Sequence, residues 1–372
     1  MKKLKLMTIL GTRPEIIRLS SVIKTADKYF DQILVHTGQN WDYTLNKVFF
    51  DELDLRDPDY YLDSVGEHLG ETLGNIISKS YEVLSREMPD ALLVLGDTNS
   101  CLSVIPAKRL KIPIFHMEAG NRCFDINVPE EINRKIVDHT ADINLAYTEH
   151  SRRYLISEGF PQQYIFVTGS PMTEIFDLYK AKIDCSNILE ELKLKKDNYI
   201  LVSAHREENL DIDDNFEQLI EMLNYVAKEY DMPIIYSTHP RTMKKIKDKN
   251  VKFHELVRNL KPFGFFDYNS LQKNSFVVLS DSGTLSEESN ILKFPAVLIR
   301  TSTERPEVVD KGTIVIGGVG VESVAQSIKF ARESKNLIMF EVNDYIDTQV
   351  GEKTCRIIQG FTQNINKYKW LK

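Results

Sequence analysis

The sequence predicts an α/β protein with two doubly wound domains that face each other across a cleft. Its 372 residues are enough for two domains of ordinary size. Short apolar runs alternate with amphipathic stretches along almost the whole chain, which is typical of parallel sheets covered by helices. The alternation stops once, in a polar segment from Lys182 to Asn198, and then starts again. We therefore expect domains over 1–183 and 184–344, and a final helix over 345–372 that crosses back to the first domain.

Six apolar runs in the first half have the length and composition of buried parallel strands. They are Leu4–Leu10, Gln32–Thr37, Ala91–Leu95, Ile112–His116, Ile143–Tyr147 and Tyr164–Thr168. Helical patterns connect them. The predicted helices are the stretch through Ile16 and Leu19 to about Tyr29, Tyr43–Phe50, Leu69–Met88, Cys101–Lys111, the segment opened by Pro129, His150–Glu158, and about Thr173 to Ala181.

The second half repeats this alternation. Its predicted strands are Tyr199–Ala204, Pro233–Thr238, Phe276–Leu279, Ala296–Arg300 and Thr313–Ile316. Its predicted helices are Phe216–Tyr230, a short aromatic-rich helix after Phe263, Leu285–Leu292, Glu322–Glu333, and the last one from about Tyr345 to Tyr368. Two βα halves of similar size indicate two doubly wound domains.

Charge and cysteine content exclude several function classes. A net charge of −7 and a pI near 5.7 argue against a nucleic-acid-binding protein. The four cysteines form no CxxC pair and no metal-like cluster, and Cys101 is expected to be a small core residue. No apolar run reaches the roughly 18 residues of a membrane span, so we expect a cytoplasmic protein that does not contact membranes.

Three carboxylates lie at predicted strand ends or at a helix start. Asp97 follows the strand that ends at Leu95, and Glu118 follows the strand that ends at His116. Glu130 and Glu131 open the helix that begins at Pro129, and for Glu131 a simple role at the helix N-terminus is favoured. Because ligands bind at the carboxyl edge of open α/β sheets, Asp97, Glu118 and Glu130 are candidates for acid–base chemistry.

Two strand-to-helix turns are suited to binding phosphate. The first runs from Gly11 to Glu15, where Arg13 offers a planar donor, although it is not a GxGxxG turn. The second is the better candidate, because Ser282, Gly283 and Thr284 follow a strand and precede a helix N-terminus. Alternatively these three residues are only an N-cap.

Further binding candidates surround the second turn. Glu288 lies one turn along the same helix and could accept both hydroxyls of a ribose, whereas Glu287 is expected to be solvated or structural. Tyr268 could stack on a base, although an aromatic residue at helical spacing is more often part of a core. Arg305 could pair with phosphate or with Glu304, and spacing alone leaves both open.

The histidines divide into functional and structural candidates. His205 ends a strand of the second half and is followed by polar residues, so a functional role is favoured. His239 is an even choice, and His116, inside an apolar run, is expected to be a hydrogen-bonded structural residue. His139 and His150 are expected to be ordinary helix residues.

Seven motifs in this order resemble the non-hydrolysing UDP-N-acetylglucosamine 2-epimerase family, and the resemblance covers nearly the whole chain. They are GTRPE at 11–15, GDT at 96–98, MEAG at 117–120, PEE-x-NR at 129–134, HRE at 205–207, DSGT-x-x-EE at 281–288 and TERPE at 303–307. The variants NRCFD and RTSTERPE look like the branch that makes UDP-N-acetyl-L-fucosamine for capsule and O-antigen.

The resemblance implies two Rossmann-like domains in the nucleotide-sugar arrangement called GT-B, and a homodimer. It implies catalytic roles for the matching residues Asp97, Glu118, Glu130 and His205. It implies substrate binding by Arg13, Ser282, Gly283, Thr284 and Glu288, with Tyr268 packing on uracil. Arg18, where the family usually has Lys, and Arg305 join the binding set as candidate diphosphate contacts.

The function that this resemblance implies is inversion at C2 of a UDP-2-acetamido sugar, with no metal and no cofactor. The narrower expectation is conversion of UDP-2-acetamido-2,6-dideoxy-L-talose to UDP-N-acetyl-L-fucosamine, and the alternative substrate is UDP-N-acetylglucosamine. Alternatives of other classes are a GT-B glycosyltransferase, a hydrolase of the glycal intermediate, and a nucleotide-sugar sensor without chemistry.

Overall fold

A computed structural model describes residues 2–38, 47–204, 213–335 and 340–372. It divides the chain into two compact units, Met1–Asp177 with Asp344–Lys372, and Leu178–Asn343. Each unit contains one parallel sheet covered by helices, with seven strands in the first and six in the second. The predicted α/β fold with two doubly wound domains is therefore confirmed.

The first sheet has the order β3-β2-β1-β4-β5-β6-β7 and the second β10-β9-β8-β11-β12-β13. The strands of the first unit are β1 Lys5–Leu10, β2 Asp31–His36, β3 Tyr60–Tyr61, β4 Ala91–Leu95, β5 Ile114–Met117, β6 Ile143–Ala146 and β7 Ile165–Val167. Those of the second are β8 Ile200–Ser203, β9 Ile234–Ser237, β10 Val257–Leu260, β11 Val277–Ser280, β12 Ala296–Leu298 and β13 Val315–Ile316.

The helices cover both faces of these sheets, as their apolar stripes require. They are α1 Arg13–Tyr29, α2 Lys47–Glu52, α3 Leu69–Glu87, α4 Val104–Arg109, α5 Pro129–Thr140, α6 Glu149–Ser157, α7 Met172–Asp184, α8 Ile188–Glu191, α9 Asp213–Tyr230, α10 Pro240–Asp248, α11 Phe265–Asn274, α12 Leu285–Leu292, α13 Pro306–Asp310, α14 Val321–Glu333 and α15 Val350–Tyr368. The last helix packs on α1, and its start is held by Glu174, whose Oε2 accepts from Gly351 N at 3.0 Å.

Both sheets reverse their strand order once, and this reversal decides where a site can form. In the first sheet β1 lies between β2 and β4, and in the second β8 lies between β9 and β11. The chain leaves β1 and β4 toward opposite faces of the sheet, which opens a crevice at their carboxyl ends. The loops after β1 and β4 carry Arg13 and Asp97, and the loop after β11 carries Ser282.

Some predicted elements were wrong or missed. The predicted helix Cys101–Lys111 is a 3₁₀ turn over Asn99–Ser103 followed by α4. Pro106 has no N–H to donate to the carbonyl four residues before it, so the α-helix does not extend over the preceding turn. Strands β3 and β10 were missed, because they are short edge strands without continuous apolar runs. Of the predicted helix Tyr43–Phe50, residues 43–46 lie outside the described residues, while residues 47–50 belong to α2.

Three short helices also escaped prediction, and each has a local reason. The basic helix α10 buries only Thr242 and Ile246 among the residues described in it, so its apolar stripe is weak. Helices α8 and α13 are 4 and 5 residues long, too short for a periodic signal.

Candidate active site

The crevice of the first unit is held together by Glu15, a buried carboxylate that sequence reasoning did not single out. Its Oε2 accepts from Gly11 N at 3.1 Å, Thr12 Oγ1 at 2.8 Å and Thr98 Oγ1 at 2.9 Å, and its Oε1 accepts from Ser100 Oγ. Burial raises the pKa of Glu15, and these hydrogen bonds oppose that rise. Glu15 therefore ties the loop after β1 to the loop after β4. The signal for Glu15 in the sequence is a Pro-Glu pair in the first turn of a helix, but this pair is equally typical of an ordinary helix start.

Asp97 lies directly after β4, where the sequence predicts it. Arg134 of α5 donates to it from Nε, at 2.6 Å from Oδ2, and the Asp97 side chain is 23% exposed. Asn133 Nδ2 donates to the Asp97 carbonyl at 2.9 Å. Asp97 is thus held in place by α5 while one face of its carboxylate stays accessible.

Glu118 follows β5 in a left-handed backbone conformation, with φ of 64°. A residue other than glycine pays about 1–2 kcal/mol for this conformation, and such strain is typical of functional sites. Its Oε1 accepts from Arg18 Nη1 at 3.0 Å and from Asn121 Nδ2 at 3.2 Å. Its Oε2 lies 3.3 Å from the position that a Cβ on Gly96 would occupy. The structure therefore brings Glu118 and the β4 end, which carries Asp97, together.

Glu130 lies in the first turn of α5 and is partly exposed. Within the described residues its side chain forms no ion pair, so the structure does not join it to Asp97 or Glu118 directly.

The simple N-terminal role predicted for Glu131 is wrong. Glu131 is buried, and its Oε2 accepts from Cys123 N at 3.2 Å and from Arg134 Nη1 at 2.8 Å. Because Arg134 also holds Asp97, Glu131 orients that arginine.

The two candidate arginines of the first unit have different surroundings. Arg18 is buried, with its guanidinium carbon 5.7 Å from the centre of the Tyr147 ring, and it pairs with Glu118. Arg13 is partly exposed at the start of α1, with its guanidinium carbon 5.7 Å from the centre of the Phe49 ring. Arg18 therefore acts first as the partner of Glu118, and Arg13 is the more accessible donor.

His116 is hydrogen-bonded and buried, as predicted. Its Nδ1 lies 2.8 Å from Asp138 Oδ1, and its Nε2 lies 2.9 Å from the Gly96 carbonyl oxygen. Asp138 also accepts from Arg122 Nη1 at 2.8 Å, and Arg122 forms two bonds to Glu158. Burial would raise the pKa of Asp138, but the bond to His116 and the charges of His116 and Arg122 hold it below its usual range. No pattern in the sequence points to Asp138, a residue in the last turn of α5.

In the second unit, Ser282, Gly283 and Thr284 form the turn between β11 and α12. Ser282 Oγ lies 3.0 Å from Thr284 Oγ1, and Ser282 N donates to Ser280 Oγ at 3.1 Å. All three residues are partly exposed, next to the N–H groups at the start of α12. The turn therefore has the local form of an anion site at a helix N-terminus.

The acids of α12 have separate partners. Glu288 accepts from Gln272 Nε2 at 2.6 Å and is 8% exposed. Glu287 is fully buried and pairs with Arg305, whose Nη2 lies 3.4 Å from Oε2. Glu304 instead pairs with Arg300. The sequence left open whether Arg305 pairs with phosphate or with Glu304, and in the structure its guanidinium contacts Glu287. Glu287 is therefore a structural acid.

The remaining candidates are less constrained. Tyr268 lies in the first turn of α11 and is partly buried. His205, with the motif that follows it, lies outside the described residues. Cys101 is buried in the core beside β4, and His139 and His150 lie on α5 and α6, all as predicted.

The described residues contain no group of three or more His, Cys, Asp or Glu side chains placed to hold a metal ion. Among the helices that the structure describes, none is long and apolar enough to cross a membrane.

The chain resembles a known protein family over most of its length. The family profile described as UDP-N-acetylglucosamine 2-epimerase matches residues 24–359. A relative from Pseudomonas aeruginosa, UDP-2,3-diacetamido-2,3-dideoxy-D-glucuronate 2-epimerase, is 33% identical over 330 residues, which are 88% of this chain and 92% of the relative. The match thus extends over most of both sequences.

Solved structures agree with these sequence matches. The structure of UDP-N-acetylglucosamine 2-epimerase from Rickettsia bellii is 47% identical, with a TM-score of 0.92 over 100% of both chains. That of Methanocaldococcus jannaschii UDP-GlcNAc 2-epimerase, in complex with UDP-GlcNAc and UDP, is 34% identical, with a TM-score of 0.88 over 96% of this chain and 99% of the other. Both similarities extend over nearly the full length.

Proposed function

The chain belongs to the UDP-N-acetylglucosamine 2-epimerase family, and we propose that it inverts C2 of its sugar by eliminating UDP and adding it back. As a member it is a UDP-sugar 2-epimerase, an isomerase. The observation that carries the elimination scheme is the meeting of Glu118 with the β4 end that carries Asp97. Each carboxylate is oriented by its own arginine and is partly accessible, as an acid–base pair must be.

The chemistry explains why carboxylates are needed. C2 of a 2-acetamido sugar carries no acidic proton, because no carbonyl group is conjugated with it. When the C1–O bond to UDP breaks, C1 gains positive character and the C2 proton becomes acidic. Loss of that proton gives UDP and a 2-acetamidoglycal. Protonation of C2 from the opposite face, with return of UDP to C1, completes the inversion with all atoms conserved.

We assign the residues to roles by this scheme. Asp97, Glu118 and Glu130 exchange the C2 proton on the two ring faces, without a fixed assignment of each carboxylate to a face. Arg13, Arg18 and His205 are the candidate cations for the departing diphosphate, and the turn Ser282–Thr284 is the candidate anion site of the second unit. Glu288 accepts from the ribose hydroxyls, Tyr268 packs on the uracil, and Arg305, which pairs with Glu287, is a further candidate cation for the diphosphate.

For the substrate, we propose UDP-2-acetamido-2,6-dideoxy-L-talose, converted to UDP-N-acetyl-L-fucosamine for capsule or O-antigen polysaccharide in the cytoplasm by a homodimer. The variants NRCFD and RTSTERPE support this choice. The second candidate is UDP-N-acetylglucosamine, which is bound in the M. jannaschii structure. The relative from Pseudomonas aeruginosa acts on a third sugar, which supports a family that varies the sugar around one reaction.

A proton NMR screen tests both the reaction and the sugar. Purified protein is incubated with each UDP-2-acetamido sugar and no acceptor. Formation of the C2 epimer supports the proposal and identifies the substrate. Net release of UDP with free sugar would indicate a hydrolase instead, and complete inertness toward all sugars would favour a glycosyltransferase or a sensor.

In D2O, the epimerised product should carry deuterium at C2. The proton leaves on a carboxylate that equilibrates with solvent, and the returning proton comes from a second group that has done the same. NMR or mass spectrometry of the product measures this directly. Product that keeps full protium at C2 would contradict the two-base scheme, because it would require a shielded proton or a hydride route.

Glu288→Ala should weaken UDP binding by about 10- to 150-fold. Loss of a charged hydrogen-bond acceptor typically costs roughly 1.5–3 kcal/mol. Glu288→Gln keeps the shape beside Gln272 and should weaken binding less. Isothermal titration calorimetry with UDP measures both. The matched control is Glu322→Ala, an exposed acid in the first turn of α14. Equal UDP affinity in Glu288→Ala and the control would remove Glu288 from the site.

A further inference from the structure

The elements that carry Asp97, Glu118 and Glu130 meet at one buried carboxylate, Asp138. Its Oδ1 lies 2.8 Å from His116 Nδ1, and the other ring nitrogen of His116 lies 2.9 Å from the carbonyl oxygen of Gly96, the residue before Asp97. Asp138 also accepts from Gly120 N, two residues after Glu118, at 3.2 and 3.3 Å. Asp138 itself lies on α5, just over two turns after Glu130.

We infer that Asp138 and a doubly protonated His116 form a positioning pair that sets the relative placement of the three candidate carboxylates. This inference rests on the proposed function, because it concerns the acid–base groups of that reaction. Neither residue is a catalytic residue in this scheme. Each acts through the backbone of the residues that it holds.

The proton count follows from the hydrogen-bond partners. The Gly96 carbonyl can only accept, so His116 Nε2 must donate to it. The Arg122 guanidinium lies 2.8 Å from Asp138 Oδ2 and favours the ionised carboxylate, whose pKa is held below its usual range, so the proton between Asp138 and His116 is assigned to His116 Nδ1. A ring with two N–H donors is an imidazolium. A neutral ring would leave either Gly96 or Asp138 without its bond in a site closed to water.

Neighbouring charged groups balance the positive charge assigned to His116. The side chains of His116, Asp138 and Arg122 are 0–1% exposed, and that of Glu158 is 27% exposed. Two cations, His116 and Arg122, alternate with two anions, Asp138 and Glu158, along one chain of ion pairs. The positive charge of a buried imidazolium is therefore balanced by neighbouring carboxylates, as buried charges must be.

Glycine at position 120 is part of the same arrangement. Its φ of 81° suits glycine, and a Cβ there would run into the backbone carbonyl of Ser151 at the start of α6. The loop after Glu118 thus has no freedom on that side, and Asp138 holds it on the other. Two strand ends and one helix are thereby fixed relative to each other, which is what acid–base transfer on two ring faces requires.

The first experiment reads the protonation of His116 without any substrate. Protein labelled with ¹⁵N in histidine is studied by long-range ¹H–¹⁵N NMR at neutral pH, and the His116 signals are those that disappear in His116→Gln. The expected result is two protonated ring nitrogens for His116. One protonated and one bare nitrogen would overturn the charged pair.

The second experiment measures positioning. His116→Asn keeps reach toward Asp138, and His116→Gln keeps reach toward Gly96, but each loses one of the two bonds. Both variants, and Asp138→Asn, should lower kcat by about 10²-fold, the order expected for a misplacement near 1 Å. UDP affinity should stay within a few-fold of wild type. Glycal and UDP released per epimer formed should rise, because a displaced second acid returns the proton late.

The matched control is His139→Asn, which alters the exposed histidine next to Asp138 on the same helix. It should leave kcat and the glycal ratio unchanged. Circular dichroism verifies the folding of each variant. Because three variants test the same pair, the test still works if one of them does not fold. Wild-type kcat and glycal ratio in all folded variants would overturn the positioning role. A wild-type protein inert toward every UDP-sugar would overturn the proposed function instead, while the NMR result still decides the charge of the pair.

Discussion

Glu118→Gln should lower kcat by about 10²–10⁴-fold while UDP affinity changes by no more than a few-fold. General acid–base groups typically contribute this much to rate. Gln keeps the shape of Glu and can still accept from Arg18 and Asn121, which now bond to Oε1, so the loop after β5 should keep its conformation. It has no basicity, so neither loss nor return of the C2 proton can pass through it.

Asp97→Asn and Glu130→Gln complete this test. Asp97→Asn should match Glu118→Gln, because Asp97 also lies at a strand end with an arginine partner. The losses should not add in double variants, since groups that act as a unit rarely do. Initial rates of epimer formation give kcat, and calorimetry gives UDP affinity. The matched control is Glu82→Gln, an exposed carboxylate on α3.

Glu130 is the carboxylate for which a different outcome is most informative. It lies in the first turn of α5, where an acid stabilises a helix without any chemistry. A kcat within a few-fold of wild type for folded Glu130→Gln would reduce it to that role and leave Asp97 and Glu118 as the pair. The same result for Glu118→Gln would contradict the scheme itself.

The sequence predicts the strands and the strand-end residues well, for a physical reason. Strands such as β4, which is buried along its whole length, must be continuous apolar runs, so their ends stand out. The polar residue at such an end, Asp97 or Glu118, is then placed at the carboxyl edge by the parallel fold. Edge strands such as β10 are missed by sequence patterns. An edge strand has a neighbouring strand on one edge only and is partly exposed, so it does not need a continuous apolar run.

The partners of these residues could not be predicted, because each pair joins distant parts of the chain. Glu15 bonds to Thr98 and Ser100, and Arg18 to Glu118, although about 80 to 100 residues separate them. Arg305 illustrates the limit of spacing: its neighbour Glu304 is adjacent in sequence, yet Arg305 contacts Glu287 and Glu304 pairs with Arg300. Local sequence shows which charges exist, and only the fold shows which ones meet.

Arg122→Leu should lower the free energy of unfolding by about 3–5 kcal/mol, the cost of breaking a buried ion pair by removing one partner. The Arg122 guanidinium lies between Asp138, at 2.8 Å, and Glu158, at 2.7 Å, and neither Arg122 nor Asp138 has any side-chain exposure. Leu removes the cation and leaves Asp138 with His116 as its remaining cation in this chain of ion pairs. Arg122→Lys keeps one charge but cannot bond both acids in the same fork, so its loss should be intermediate.

Urea denaturation, with circular dichroism as the signal, measures the change in stability from the midpoint at unchanged slope. If the two units unfold in separate steps, the step that belongs to the unit built around β1–β7 should shift, because Arg122 lies there. The control is Arg152→Leu on α6, which removes a surface arginine paired with Glu149 and should cost at most about 1 kcal/mol. An Arg122→Leu loss no larger than that control would mean that the buried chain adds no net stability, because the desolvation of its charges would then equal their attraction.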